Sequence, residues 1–275
     1  MNEAREIMGA NFFGPEEIKM ALELEFPDKI PEIYFSKEII EKLKDTHQLI
    51  LYGGKLEGGI SHNAGKTYVR EVSGQNFDAR FQNKKKDGTK LLHDVDWYKN
   101  EEFFTKDSSE LQWKIVSKDL IPNSTNKNYL EQTDVMVDYV ESMYTDPSKI
   151  PSEIMGALME WHDLRRDTKR FNELKRLTES SDEAEWKSAA DTLETLKLTQ
   201  MFRESFIEWF YRTALTERAT GERLLPNKYS FTKSRTSDGY FVVAGGLVVD
   251  GGDVYRLRPG YSLSSLGCAF SAAKL

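Results

Sequence analysis

Between Asp238 and Ser264 the chain gathers side chains suited to recognising a ligand. Tyr240, Tyr255 and Tyr261 offer rigid rings with a hydroxyl at the tip, Arg256 and Arg258 offer forked cations, and Asp238, Asp250 and Asp253 offer acceptors. Such residues, with Ser and Gly between them, are typical of binding surfaces. Seven of the chain's 18 glycines fall between Gly239 and Gly267. Short strand-like runs carry this segment, and Gly-Gly pairs interrupt them. The pattern predicts a displayed recognition surface rather than a catalytic pocket. A loop-rich sheet edge with no such role is the competing reading of the same composition.

Other groups of residues carry weaker chemistry. Residues 58–67 end in Gly65-Lys66-Thr67, like a phosphate-binding loop. That loop needs a glycine six residues before its lysine and a helix after it; here Ile60 stands at that place and 67–72 alternate as a strand. A glycine-rich hairpin is the better reading. The four histidines are His47, His62, His93 and His162. His93, Asp94 and Asp96 could ligate a metal and serve a metal-dependent enzyme, although such a cluster is more often a solvated loop. Asp250 and Asp253 flank Gly251-Gly252 and could bind calcium, but a tight hairpin is favoured. No Gly-x-Ser-x-Gly elbow supports a hydrolase of that kind.

The bulk composition is that of an ordinary globular chain: 275 residues, 39% hydrophobic and 30% charged. The net charge is -7, which argues against nucleic acid as a partner of the whole surface. Residues 226–275 hold six Lys/Arg against three Asp, +3, so the preceding residues carry -10. Cys268 is the single cysteine and permits neither an internal disulfide nor a multi-cysteine zinc site. The sequence has no run of 18 apolar residues to span a membrane, and its start lacks the apolar core of a signal peptide. A cytoplasmic protein is the expectation, with exposure at a surface by another route left open.

These side chains need a scaffold. Residues 3–46 read as short helices, with Pro15 opening one, Ser36 capping another, and Ile18, Met20, Ala21 and Leu24 as an apolar side. Residues 49–52 and 112–116 read as strands, and 128–144 as a helix. Residues 151–220 are mostly helical, with Ser180 to Glu183 at capping-box spacing, Trp161, Trp186 and Trp209 on core faces, and Gly221 ending the last helix. The interval 165–198 is charge-rich and reads as a solvated helical insertion.

Three stretches then resemble a known family: 115–133, 219–225, and Ser234-Arg235 followed by the glycine-broken segment that closes on Leu266-Gly267-Cys268-Ala269-Phe270-Ser271. In these the chain resembles the variable proteins of diversity-generating retroelements, in the C-type-lectin fold subtype related to formylglycine-generating enzymes. The resemblance covers most of residues 100–275, and 11–17 add to it. It implies an α+β fold, with a small, twisted, mostly antiparallel sheet of C-type-lectin type, packed helices and a helical N-terminal extension over 1–46. The lectin-like domain would span 47–275, with a helical insertion at about 151–198 and a variable segment at 234–271.

In such a family a reverse transcriptase copies a template repeat while misreading adenines, and the mutated copy replaces C-terminal codons. Carried over, the fixed frame here would be Gly245, Leu247, Gly251, Val254, Leu257, Leu266, Gly267, Ala269 and Phe270. The variable positions would be Asp238, Tyr240, Val243, Gly246, Val248, Asp250, Asp253, Tyr255, Arg256, Arg258, Tyr261, Leu263 and Ser264. The implied function is non-catalytic binding of a protein or glycan ligand, with no cofactor, no nucleic acid partner and an oligomer possible. One cysteine cannot supply the paired-cysteine chemistry of formylglycine generation. The alternatives are a metal-dependent enzyme at His93, Asp94 and Asp96, or a structural or assembly protein of a phage or mobile element that associates through the helices of 151–220.

Overall fold

The computed structural model describes residues 1–22, 24, 26–53, 91–93, 95–107, 109–248 and 251–275. The expected hairpin at 58–67 and strand at 67–72 lie outside the described residues, as do His62, Asp94 and Asp250. The first elements are α1 (Asn2–Met8), β1 (Phe12–Phe13), α2 (Pro15–Leu22), α3 (Lys37–Leu43), β2 (His47–Tyr52), α4 (Glu102–Thr105) and β3 (Gln112–Ser117). The helical middle comprises α5 (Tyr129–Ser142), α6 (Ser152–Arg166), α7 (Thr168–Glu179), α8 (Glu183–Thr195), α9 (Lys197–Phe202) and α10 (Phe206–Thr220). The last strands are β4 (Tyr229–Arg235), β5 (Phe241–Val248), β6 (Gly251–Leu257), β7 (Leu266–Gly267) and β8 (Ser271–Ala272).

The architecture is α+β, with helices packed about two small sheets. One sheet has the order β1-β2-β3-β8, with β1 parallel to β2 and the other pairs antiparallel. The other has the order β6-β5-β4-β7, with β7 parallel to β4 and the other pairs antiparallel. Residues 266–272 join both sheets. Leu266 and Gly267 pair with β4, and five residues later Ser271 and Ala272 pair with β3. Cys268, Ala269 and Phe270 cross between them, buried. Their backbone is held by the Ser124, Ser230 and Ser117 hydroxyls, which accept from the amides of 268, 269 and 270. This gives the closing Leu-Gly-x-Ala-Phe-Ser run its physical role as a seam between sheets.

Helix starts follow their capping residues. Ser36 accepts from the Ile39 amide, and Asn128 with Glu131, and Ser205 with Glu208, form reciprocal capping boxes. Gly221 ends α10 in the left-handed conformation, φ 77°. Two local expectations are corrected. Met20 projects into solvent, because it lies about 200° round the helix from Ile18, which is buried. The cap of α8 is Asp182, which accepts from the Glu185 amide, whereas Ser180 donates to the Glu185 carboxylate.

Helix α10 touches β2 of one sheet and β4 and β5 of the other. Its residues from Phe206 to Glu217 are all buried, so it has no polar face to give to water. Its charges are satisfied internally instead. Arg212 grips Glu204 with two hydrogen bonds of 2.8 and 2.6 Å, and Tyr52 donates to the same carboxylate at 3.3 Å. Lys114 of β3 pairs with Glu208 at 2.6 Å. Trp113, Trp161, Trp186 and Trp209 are all buried, as their helix and strand positions predict. Core residues run from Ala4 to Leu275 in one cluster, so α1, α2 and α3 pack on the same interior as the C-terminal strands.

Candidate functional site

The outer side of the sheet β6-β5-β4-β7 holds a cup of about 320 Å³ lined by Tyr229, Val243, Tyr255, Leu257, Tyr261, Leu263 and Leu266. That volume is in the range of small-ligand sites. Strand register builds it. Tyr255 stands opposite Val243, Leu257 opposite Phe241, and Tyr229 opposite Gly245, which in turn faces Asp253. Alternation along β6 therefore puts Asp253, Tyr255 and Leu257 on one side. Val243 and Leu266 form an apolar floor, Tyr229 and Tyr255 lie 5.5 Å apart between ring centroids, and Tyr261 and Leu263 rise as exposed edges.

Asp253 stands beside the cup, on the same side of β6 as Tyr255. Tyr229 donates to its carboxylate at 3.1 Å, and the His93 ring nitrogen lies 3.7 Å from its other oxygen. Burial first, and then the Asp253 carboxylate, push the Tyr229 hydroxyl up to about 12, and raise that of Tyr255. The Tyr229 proton is committed to Asp253, so Tyr229 presents its oxygen lone pairs, while the hydroxyl of the exposed Tyr255 stays protonated at neutral pH. The rest of the lining is apolar, so a ligand gains mainly from burying apolar surface, with the phenols fixing its orientation.

A second group of the predicted residues lies apart from the cup. Arg256 alternates away from Tyr255, pairs with Asp238, and sets its guanidinium 5.4 Å from the Tyr240 ring and 5.8 Å from that of Trp97. Tyr240 packs on Trp186 of α8, ring centroids 4.6 Å apart. The indole of Trp97 donates to the Val254 carbonyl, which holds it against the edge strand. This is an aromatic and cationic ridge with Arg256 about half exposed. Arg258, Ser264 and Val248 are partly or fully exposed but line neither group, and Asp250 lies outside the described residues.

Two positions proposed as variable are corrected in role. Val243 is 1% exposed and forms floor, not display. Gly246 has φ 59°, and a Cβ there would meet the Tyr229 hydroxyl at 2.7 Å, so both conformation and space demand glycine. Leu257, placed in the frame, is half-buried and lines the cup. Tyr229 and Trp97 were missed. Tyr229 lies before the variable segment and joins it only through register; Trp97 had no signal beyond being an aromatic in a polar stretch.

The helices of 151–198 are not merely a solvated insertion. Besides Trp186 against Tyr240, Asp191 and Glu194 of α8 hold Arg235 at 3.2 and 3.1 Å, at the turn before β5. Gly260 lies so close to the end of α7 that a Cβ would clash with the Thr178 carbonyl. Tyr129 and Asn126 donate backbone amides to the Pro259 and Leu263 carbonyls. The loop bearing Tyr261 and Leu263 is thus pinned on both sides while its side chains face out.

The metal alternative finds less to build on. Asp96 is occupied with Lys99 at 3.0 Å, His93 points to Asp253, and Asp94 is outside the described residues. Among the described residues no three His, Cys, Asp or Glu side chains are grouped to hold a metal ion. Nor is any helix among them long and apolar enough to cross a membrane. Compared with known proteins, the chain matches no family model, no curated protein and no solved structure.

Proposed function

We propose that this chain is a ligand-binding protein of C-type-lectin type whose C-terminal surface is diversified by a retroelement. The observation that supports the reading is a segregation within one segment. The frame residues Gly245, Leu247, Gly251, Val254, Leu266, Gly267, Ala269 and Phe270 are buried. Asp238, Tyr240, Val248, Asp253, Tyr255, Arg256, Arg258, Tyr261, Leu263 and Ser264 are wholly or partly exposed. Diversification needs such a separation, because a tolerant surface must change without unfolding what carries it. The partner is a protein or glycan surface. The tyrosine cup would take an apolar or ring-shaped group, and Arg256 an anionic or polar one.

Random codons placed at Tyr255, Arg256, Tyr261 and Leu263, in a library selected only for folding, test this. Most members are expected to fold, whereas a matched library at Leu247, Leu266, Ala269 and Phe270 is expected to lose nearly all. Equal losses in the two libraries would remove the support.

A further inference from the structure

A second cavity, of about 490 Å³, lies away from the tyrosine cup, where β3, β4, the start of α10 and the C-terminal residues meet. Its lining is unlike the cup's. Lys114, Lys233 and Lys274 share it with Asp107, Glu110, Glu153 and Glu208. Four of these seven charges neutralise one another in pairs: Lys114 with Glu208 at 2.6 Å and Lys274 with Glu153 at 3.3 Å. Three charges remain. The Lys233 ammonium donates to the Gln200 carbonyl at 3.0 Å, and among the described residues no carboxylate lies within ion-pair distance of it. Asp107 accepts from the Ser234 hydroxyl at 3.3 Å, and among the described residues no cation lies within ion-pair distance of it. Glu110 is exposed at the rim, with no ion pair among the described residues.

One cation and two anions thus face the same cavity without a close ion pair among the described residues, although Glu208, Asp107 and Glu110 all act on the Lys233 charge through space. Lys233 and Asp107 are both partly buried. Burial holds the Lys233 ammonium below its ordinary range, with Lys114 adding to the effect. Burial, with Glu208, pushes the Asp107 carboxyl up to about 6. Charge drawn part-way out of water without a close partner is open to a counter-charge brought by a ligand.

We infer that this cleft is a binding site for a free α-amino acid, whose carboxylate pairs with Lys233 and whose ammonium pairs with Asp107 and Glu110. A molecule that carries both charges matches this lining better than one that carries a single charge. A lone carboxylate would leave the acids unpaired, and a lone amine would leave Lys233 unpaired. The cavity has room for the backbone and a side chain together. Ser234 would fix the acid's orientation, since it also accepts from the Phe206 amide at 2.9 Å. The inference is independent of the tyrosine cup and of diversification.

Calorimetric titration of the full chain at neutral pH with each common α-amino acid, and with the deaminated acid and decarboxylated amine of each, provides the test. At least one amino acid is expected to bind saturably, and its two single-charge analogues to bind at least about tenfold more weakly. Lys233→Met and Asp107→Asn should each weaken it by a similar factor while keeping the circular dichroism of the parent. Lys233→Gln replaces Lys233→Met if the latter fails to fold. Tyr255→Ala should bind as the parent does. No binding by any amino acid, equal binding of a single-charge analogue, or full affinity in a folded Lys233 variant would overturn the inference.

Discussion

The tyrosine cup and the interior around α10 handle polar side chains in opposite ways. Around α10 the charges are sealed in and matched, Arg212 with Glu204 and Lys114 with Glu208, and the Gln48 amide donates to the Thr216 hydroxyl at 3.0 Å, while the Trp209 indole and Thr213 hydroxyl are buried without a partner among the described residues. On the cup and ridge they are left at least partly open, with Tyr255, Tyr261 and Arg256 offering groups that little else in the fold depends on. The difference teaches that the residues that hold the fold and those left open at the surface are separate sets that alternate along the same strands.

Truncation in the interior should have the largest effect. Arg212→Ala leaves the Glu204 carboxylate buried without its cation and is expected to cost about 3–5 kcal/mol in a urea melt. A loss below about 1 kcal/mol would mean that the interior is more open to water than its burial indicates.

Acid should expose the same asymmetry. Burial, then the Arg212 charge, depress His47 from 6.5 to about 4. An unfolded chain takes up this proton below 6.5, while the folded chain resists until about 4. The contribution is therefore complete above 6.5 and is lost as pH falls through that window. It amounts to about 3 kcal/mol at most. His47→Gln should flatten the fall in stability between those two pH values. An unchanged slope would assign the acid sensitivity to other groups.

A smaller effect is expected where the interior braces the surface. Gly260→Ala forces a methyl against the Thr178 carbonyl and should cost about 1–3 kcal/mol. Because α7 and this loop are in close contact, chymotrypsin should cut after Tyr261 faster in the variant, and an unaltered rate would break the proposed bracing. The smallest effects belong to the display itself. Tyr255→Ala and Arg256→Ala should each change stability by less than about 1 kcal/mol while removing ligand affinity. A larger loss from either would move that residue into the core set.

Parts of this were readable in the sequence and parts were not. The open cluster of rings and charges showed in the crowding of Tyr, Arg and Asp between Gly239 and Tyr261, because few core strands tolerate it. The helix ends showed in Ser36, Asn128 and Gly221, whose side chains or conformations act locally. The division of Tyr255 from Arg256 onto two sides of β6 follows from alternation alone, once the strand is recognised. Tyr229 could not be found that way, since it joins the cup through pairing across β4 and β5. The bracing by α7 and α8 was hidden by their charge, with Trp186 the largest of the apolar residues that they bury. Trp209 and Gly221 mark α10 in the sequence, but not its burial on every side, because Arg212 and Glu208 find partners inside rather than water. Lys114, set between Trp113 and Ile115, was the available hint of a charge held within the core.

The most direct test of diversified recognition lies in the DNA beside the gene. The account predicts a near-copy of the codons for residues 234–271 next to a reverse-transcriptase gene. Its mismatches should fall at template adenines, in codons such as those of Tyr255, Arg256, Tyr261 and Leu263, and spare those of Gly246, Leu266 and Phe270. The absence of such a copy, or mismatches spread evenly over buried and exposed codons, would contradict it.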